Sequence, residues 1–143
     1  MNLKSNILIV EDNPGDVRLI QEILNDVDIS YNLYFASDGD VALQMLKREG
    51  VYGDVPRPDL ILLDMNLPKK DGKEVIDDIK QHDRLNNIRL NDIPIIILTN
   101  SISDIKNDPY VKLADAALLK SPNLEGFEKI ANCIQNVLSK IKK

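Results

Sequence analysis

Short, uninterrupted apolar runs recur along this chain, and polar residues flank each of them. The four clearest runs are Ile7–Val10, Leu60–Leu63, Ile95–Leu98 and Ala116–Leu119. Runs of this length are typical of strands buried on both faces, as in a parallel sheet, because a half-exposed strand alternates polar and apolar residues. Tyr34–Ala36, within the Tyr31–Ala36 stretch, is a weaker candidate that would suit an edge strand.

Amphipathic segments separate these runs. Their apolar residues recur at spacings of three and four, which indicates helices. The apolar sets are Val17, Ile20, Ile23, Leu24 and Val27; Val41, Ala42, Met45 and Leu46; Val75, Ile76 and Ile79; and Phe127, Ile130, Ala131, Ile134, Val137, Leu138 and Ile141. Alternating strands and helices predict an α/β fold, a three-layer αβα sandwich around a five-stranded parallel sheet.

Three connecting segments have less regular patterns. Pro109 would interrupt a long helix between Ser101 and Asp115, so we expect a short or irregular fourth helix there. Arg48–Pro58 is rich in glycine and proline, and Gln81–Pro94 is polar and rich in asparagine. We expect both segments to be surface loops.

Composition excludes several classes of protein. The chain has 143 residues, 18 basic and 23 acidic, with a formal net charge of −5. No apolar run exceeds four residues, whereas a membrane-spanning helix needs about 20. An acidic chain without a basic tract is a poor nucleic-acid binder. Because Cys133 is the single cysteine, an internal disulfide and a cysteine-based metal cluster are excluded. Without a signal-peptide pattern, we expect one cytoplasmic domain, 1–143, with no output domain.

Polar side chains directly follow four of the predicted strands. These residues are Glu11, Asp12, Asp64, Thr99 and Lys120. The carboxyl ends of parallel strands meet at one edge of a sheet, where doubly wound α/β proteins bind ligands. The strand assignment therefore brings three carboxylates, one hydroxyl and one ammonium together.

This combination of groups suits phosphoryl transfer. Two carboxylates about 4 Å apart repel by about 4 kcal/mol at an effective dielectric constant of about 20, so a cation or a proton is needed among them. Oxygen ligands favour a hard ion such as Mg²⁺, and Lys120 would face an anion. Aspartate is an established nucleophile that forms aspartyl phosphate, and phosphoryl transfer needs mainly alignment and charge neutralisation.

Simpler interpretations exist for the single residues. Asn13 and Pro14 are typical of a helix start, with Asn13 as the cap, which does not exclude a role for Asp12. Thr99 taken alone could be a helix cap, and Lys120 taken alone could be a solvated loop lysine. Coincidence on so many strand ends is improbable.

The motifs together resemble the receiver domain of two-component response regulators, from about Leu3 to Leu138. They are Ile7–Asn13, Ala36–Gly39 with Ala42–Leu43, Pro58–Gly72, Pro94–Thr99 and Lys120. The spacing of Asp64, Pro68 and Gly72, together with the acidic pair and Lys120, is highly specific. The Lys120–Ser121 junction and the proline-containing loop before Asp59 resemble the small single-domain receivers that partner phytochrome-type sensor histidine kinases.

The resemblance implies a flavodoxin-like sheet of order 2-1-3-4-5 and a set of residue roles. Asp64 would be the phosphoacceptor. Asp12 and Asp64 would bind Mg²⁺ directly, Glu11 mostly through a water molecule, and Asn66 through its backbone carbonyl. Thr99 and Lys120 would contact the phosphoryl oxygens. The implied function is a phosphorylation-dependent switch in a two-component phosphorelay that signals by protein–protein contact.

Two positions depart from the family pattern. Ala117 stands where most receivers have an aromatic residue that swings inward on phosphorylation. We therefore expect a smaller or differently routed change on the face formed by the fourth helix, the last strand and the last helix. Ser121 stands where the family usually has proline, and we predict a cis Lys120–Ser121 bond.

The phosphodonor histidine must belong to a partner, because His82 is the only histidine and lies in a polar stretch. The predicted partners are a sensor histidine kinase, an unknown downstream protein and, through the last helices, a second copy of the chain; we predict no nucleic-acid or membrane partner. We expect a phosphoacceptor with slow self-dephosphorylation and no enzymatic turnover.

Three alternatives remain open at this point. A pseudo-receiver would bind partners without being phosphorylated, and Ala117 is the residue that favours it. A haloacid-dehalogenase-type phosphatase needs a second acid two residues after the nucleophile, where this chain has Asn66. A flavodoxin-like cofactor carrier would need to cradle phosphate at the loop where Glu11 and Asp12 repel it.

Overall fold

The main structural element is a five-stranded sheet in which all neighbouring strands are parallel. The computed structural model describes residues 4–67, 69, 71–81, 84–85, 88–90, 92–101, 109–120 and 123–141. The strands of the sheet are β1 (Ser5–Val10), β2 (Tyr31–Ala36), β3 (Leu60–Asp64), β6 (Ile95–Thr99) and β7 (Ala116–Leu119). They lie side by side in the order β2-β1-β3-β6-β7. Counting only these strands along the chain, the order is 2-1-3-4-5, which confirms the predicted flavodoxin-like topology.

Burial along the strands follows their position in the sheet. The central strands β3 and β6 are buried at every residue, as continuous apolar runs predict. The strands at the two edges, β2 and β7, are mostly half-buried. Tyr31–Ala36 is therefore an edge strand as expected, whereas β7 is less buried than its apolar run suggested because it has a neighbour on one side only.

Helices cover both faces of the sheet. The part of the chain that is described contains α1 (Pro14–Leu24), α2 (Gly39–Leu46), α3 (Gly72–Gln81) and α4 (Leu124–Ser139). One apolar cluster joins the sheet to α2 and α3, and a second joins it to α1 and α4. These two cores give the predicted three layers. Val27, predicted on the apolar face of the first helix, lies beyond its end and is nevertheless buried.

The connecting segments differ in part from the prediction. Gln81–Pro94 is not a simple loop, since β4 (Arg84–Leu85) and β5 (Ile88–Arg89) form a small antiparallel pair, and Leu90 and Ile93 after it are buried. Arg48–Pro58 is a loop with one 3₁₀ turn at Gly50–Tyr52. A second 3₁₀ helix, Pro109–Leu113, begins at the proline. It is the described part of the predicted irregular fourth helix, and 102–108 lie outside the described residues.

No helix in the described part of the chain combines the length and the apolar character that a bilayer crossing requires.

Candidate phosphoryl-transfer site

The first carboxylates of the site stand where β1 turns into α1. Glu11 follows the last residue of β1, and its N–H donates to the carbonyl of Ala36 in β2 (3.0 Å). Asn13 caps α1 with its side-chain oxygen, and Pro14 is the first helical residue, as predicted. This short turn leaves Glu11 buried and Asp12 exposed. Asn13 and Pro14 therefore begin the helix, and Glu11 and Asp12 are separate residues that belong to the site.

Asp64 is the last residue of β3. Its position is fixed by close packing of the backbone at Asp64 and Met65 against the start of α3. Its Oδ1 accepts a hydrogen bond from the N–H of Asn66 (3.2 Å). Gly72, at the start of α3, donates its N–H to the carbonyl of Met65 (3.1 Å). A Cβ at Gly72 would lie 2.7 Å from both the Asp64 carbonyl oxygen and the Met65 Cα. Glycine at this position is therefore required for the segment after Asp64 to close onto α3.

Three carboxylates converge at this edge of the sheet. Glu11, Asp12 and Asp64 each offer an oxygen within 4.8 Å of the others. Two of the three side chains are buried, so water screens their repulsion poorly. Carboxylate oxygens are the ligands that Mg²⁺ prefers, usually with one or two carboxylates and several waters. The residues present therefore fit a Mg²⁺ ion.

Lys120, directly after β7, is the counter-charge of this cluster. Its ammonium donates to Glu11 Oε1 in a short contact and to Asp16 Oδ2 at 2.9 Å, and it lies 3.7 Å from Asp64 Oδ2. The side chain is only 3% exposed. The interpretation of Lys120 as a solvated loop lysine is therefore wrong.

The pKa values of Glu11 and Lys120 are both raised, for different reasons. Burial raises the pKa of Glu11 to about 7, with the Asp64 charge adding to the rise and Lys120 opposing it. Although burial alone would lower the pKa of Lys120, its hydrogen bonds to Glu11 and Asp16 and the nearby Asp64 raise it above the ordinary lysine value. Lys120 is thus positively charged at every physiological pH, whereas the charge of Glu11 changes near neutral pH.

Thr99, the last residue of β6, is fully buried at the same edge. Its carbonyl accepts the N–H of Lys120 (2.8 Å), and its hydroxyl oxygen accepts the N–H of Ser101 (3.3 Å). The preceding residue, Leu98, is the register partner of Asp64. Thr99 therefore lies at the end of the strand between those that carry Asp64 and Lys120.

One residue of this site, Asp16, was not predicted from the sequence. Its carboxylate contacts Lys120 (2.9 Å) from the first turn of α1. The only sequence signal was an acidic residue near a helix N-terminus, which is favourable for the helix alone. The predicted cis bond at Ser121 and the residues Pro68 and His82 lie outside the described residues.

Comparison with known proteins identifies the family. The model of the response regulator receiver domain matches residues 7–131. The chain belongs to the response regulator receiver family. This receiver is 42% identical over 131 residues to response regulator Rcp1 of Synechocystis sp., an alignment that covers 91% of the chain and 86% of Rcp1.

Solved structures resemble this receiver over nearly its whole length. The phosphorylated cyanobacterial phytochrome response regulator RcpA superposes with a TM-score of 0.80 and 38% identity, covering 98% of both chains. The Mn²⁺-bound form of response regulator Rcp1 superposes with a TM-score of 0.77 and 38% identity, covering 97% of both chains. The receiver is a phosphorelay switch of two-component signalling, and Mg²⁺ is the cofactor that its acidic cluster fits.

Proposed function

We propose that this receiver accepts a phosphoryl group from a sensor histidine kinase on Asp64. The observation that carries the proposal is the convergence of three carboxylate oxygens within 4.8 Å of one another, with the Lys120 ammonium 3.7 Å from Asp64 Oδ2. A cation site and a fixed positive charge beside one aspartate are what in-line phosphoryl transfer requires.

The proposed step uses the Asp64 carboxylate as the nucleophile. A bond forms between an Asp64 oxygen and phosphorus while the bond between phosphorus and the donor histidine nitrogen breaks, and the imidazole leaves with the electron pair. The Lys120 ammonium neutralises charge on the phosphoryl oxygens, and Thr99 contacts them with its hydroxyl. When bound, Mg²⁺ supplies further charge neutralisation. Asp12, Asp64 and the Asn66 backbone carbonyl are the residues that would hold it directly, and Glu11 would act mostly through a water molecule.

Intact-mass spectrometry tests this proposal. After incubation with acetyl phosphate and Mg²⁺, we expect one added phosphoryl group that is lost in Asp64→Asn and in chelator. Asp26→Asn is the matched control, because Asp26 is an exposed aspartate just beyond α1, and it should be phosphorylated like the unaltered chain. Absence of any addition to the unaltered chain would instead favour a pseudo-receiver that acts by constitutive contact.

The kinase is proposed to be phytochrome-type. The similarity to the cyanobacterial phytochrome response regulator RcpA over 98% of both chains supports this assignment. Phosphotransfer from a phytochrome-type kinase should be much faster than from unrelated histidine kinases at equal concentrations. Equal rates from all kinases would contradict the assignment.

The output is proposed to differ from that of receivers with an aromatic residue before the lysine. Ala117 in β7 is half-buried and packs against the cluster shared by α2 and α3. An alanine side chain cannot swing between an inward and an outward position, so Thr99 is left to transmit the change through Asn100–Ser103. Of this segment, 102 and 103 lie outside the described residues.

Several expectations from the sequence stay predictions. They are a single domain over 1–143 that signals by contact with an unknown downstream protein, a cytoplasmic location, a homodimer through the last helices, and the absence of enzymatic turnover. The dimer is the simplest of these to measure, by the sedimentation of the free and phosphorylated chain at several concentrations.

A further inference from the structure

The position of the Lys120 ammonium depends on Asp16, a carboxylate in the first turn of α1 to which the resemblance to receivers assigned no role. A lysine ammonium has three protons to donate. In this structure one is donated to Glu11 and one to Asp16 at 2.9 Å, while Asp64 Oδ2 lies farther away, at 3.7 Å. The ammonium is therefore held on the side of the site that faces α1.

Asp16 is itself fixed by the start of α1. Its N–H is donated to the side-chain oxygen of Asn13 (3.2 Å), which also accepts the N–H of Gly15 (2.8 Å). The side chain of Asp16 is 22% exposed, compared with 3% for Lys120. Asp16 therefore reaches from the helix surface to a buried charge, and it is anchored by a capped helical turn.

We propose that Asp16 is a positioning residue that holds Lys120 in the unphosphorylated chain and competes for it with the incoming phosphoryl group. The inference rests on the proposed roles of Asp64 and Lys120. An arriving phosphoryl group brings negative charge to the same ammonium that Asp16 partly neutralises. The negative charge of Asp16 consequently disfavours the anion while it favours a cation at the carboxylate cluster.

Removing the charge of Asp16 should therefore speed phosphorylation and weaken the binding of Mg²⁺. Asp16→Asn keeps an oxygen that can accept the Lys120 hydrogen bond but removes the charge. At saturating Mg²⁺ we expect its rate of phosphorylation by acetyl phosphate to rise about fivefold, and we expect its Kd for Mg²⁺ alone to rise about threefold, in line with charge interactions over a few ångströms in a partly screened site. Mere loss of folded protein would lower the phosphorylation rate.

The matched control is Glu22→Gln, which removes one negative charge from an exposed position on the same helix. Neither the phosphorylation rate nor the Kd for Mg²⁺ should change by more than about twofold, because exposed charges farther away are screened. Asp16→Ala removes the acceptor as well as the charge. We expect its phosphorylation rate to fall below that of Asp16→Asn, since Lys120 then loses a contact that positions it.

The outcomes separate this inference from the proposed function. If the unaltered chain is phosphorylated on Asp64 but Asp16→Asn reacts at an unchanged or lower rate, the competition by Asp16 is refuted and the proposed function stands. If Asp16→Ala and Asp16→Asn react equally fast, the positioning role is refuted. If acetyl phosphate leaves the unaltered chain unmodified, both the inference and the proposed function are overturned.

Discussion

The Lys120 ammonium lies 3.7 Å from Asp64 Oδ2 although the two residues stand at the ends of strands that are not neighbours. Asp64 ends β3, Lys120 follows β7, and β6 separates the two strands in the sheet. The long lysine side chain crosses the end of β6 to reach the carboxylates. One positive charge thereby contacts three acidic residues, which are Asp64 of β3, Glu11 of the turn into α1 and Asp16 of the first turn of α1.

Lys120→Met should abolish most phosphorylation while strengthening cation binding. The variant leaves buried carboxylates without their counter-charge, so we expect a loss of about 3 kcal/mol of stability in the absence of metal. The Kd for Mg²⁺ should fall about tenfold, since a nearby positive charge is removed. Calorimetry and a denaturant titration measure both quantities.

Lys112→Met is the matched control for this change, because Lys112 is an exposed lysine in the second 3₁₀ helix. It should leave stability and Mg²⁺ affinity nearly unchanged. Weaker Mg²⁺ binding in Lys120→Met would contradict the electrostatic account of the site.

The stability of the metal-free chain should fall as the pH rises from about 4.5 through about 7. Burial raises the pKa of Glu11 from 4.5 to about 7. A carboxyl whose pKa is raised on folding contributes stability that is fully present below the unfolded value and lost as the pH passes the folded value. The shift corresponds to about 3 kcal/mol. Urea titrations between pH 4.5 and 8.5 should reveal this decline.

Glu11→Gln should flatten that pH dependence, since the amide does not titrate. Affinity for Mg²⁺ in the unaltered chain should change in the opposite sense and rise between about pH 6 and pH 8, because a metal ligand must be deprotonated. A metal-free chain whose stability rises between pH 5 and pH 8 would contradict the assignment of the raised pKa to Glu11.

Gly72→Ala should impair both folding and phosphorylation. Its Cβ would meet backbone atoms at 2.7 Å, so the segment joining Asp64 to α3 must shift. We expect a loss of about 2 kcal/mol, typical of an overpacked site, together with slower phosphorylation. In the control Gly53→Ala the nearest atom lies at 3.6 Å, an ordinary contact. Equal effects of the two substitutions would show that the close approach at Gly72 is unimportant.

Ala117→Tyr should change the conformational response to phosphorylation. With alanine, we expect amide NMR shifts of β7 and α4 to move little between the free and phosphorylated forms. The tyrosine ring of the variant can occupy an inward and an outward position. The spectra of its free and phosphorylated forms should therefore differ more than those of the unaltered chain. A large rearrangement of this face in the unaltered chain would show that the aromatic residue is dispensable.

The central strands of the sheet could be predicted because the residues of each strand show by themselves that it is buried on both faces. Strands buried on both faces need continuous apolar residues, and β1, β3 and β6 have them. Because all the strands are parallel, Glu11 after β1, Asp64 at the end of β3 and Lys120 after β7 lie at one edge of the sheet. Their convergence follows from topology, so it could be inferred before any distance was known.

The missed features depend on contacts between distant segments. The β4–β5 pair has two residues in each strand, too few for any periodic pattern to be visible. Asp16 has the sequence context of an ordinary first-turn acid, and only the reach of the Lys120 side chain from the end of β7 to the first turn of α1 brings the two residues together. Sequence patterns could not predict these features, because tertiary packing alone brings the segments concerned together.

Locating the phosphoryl group on the chain tests the central claim most directly. The chain is phosphorylated with acetyl phosphate and Mg²⁺ and reduced with borohydride, which converts an aspartyl phosphate to homoserine, and its peptides are then sequenced by mass spectrometry. The account predicts homoserine at position 64 and at no other aspartate. Homoserine at position 12 or 16, or its absence from position 64 in a chain that gained phosphate, would contradict it.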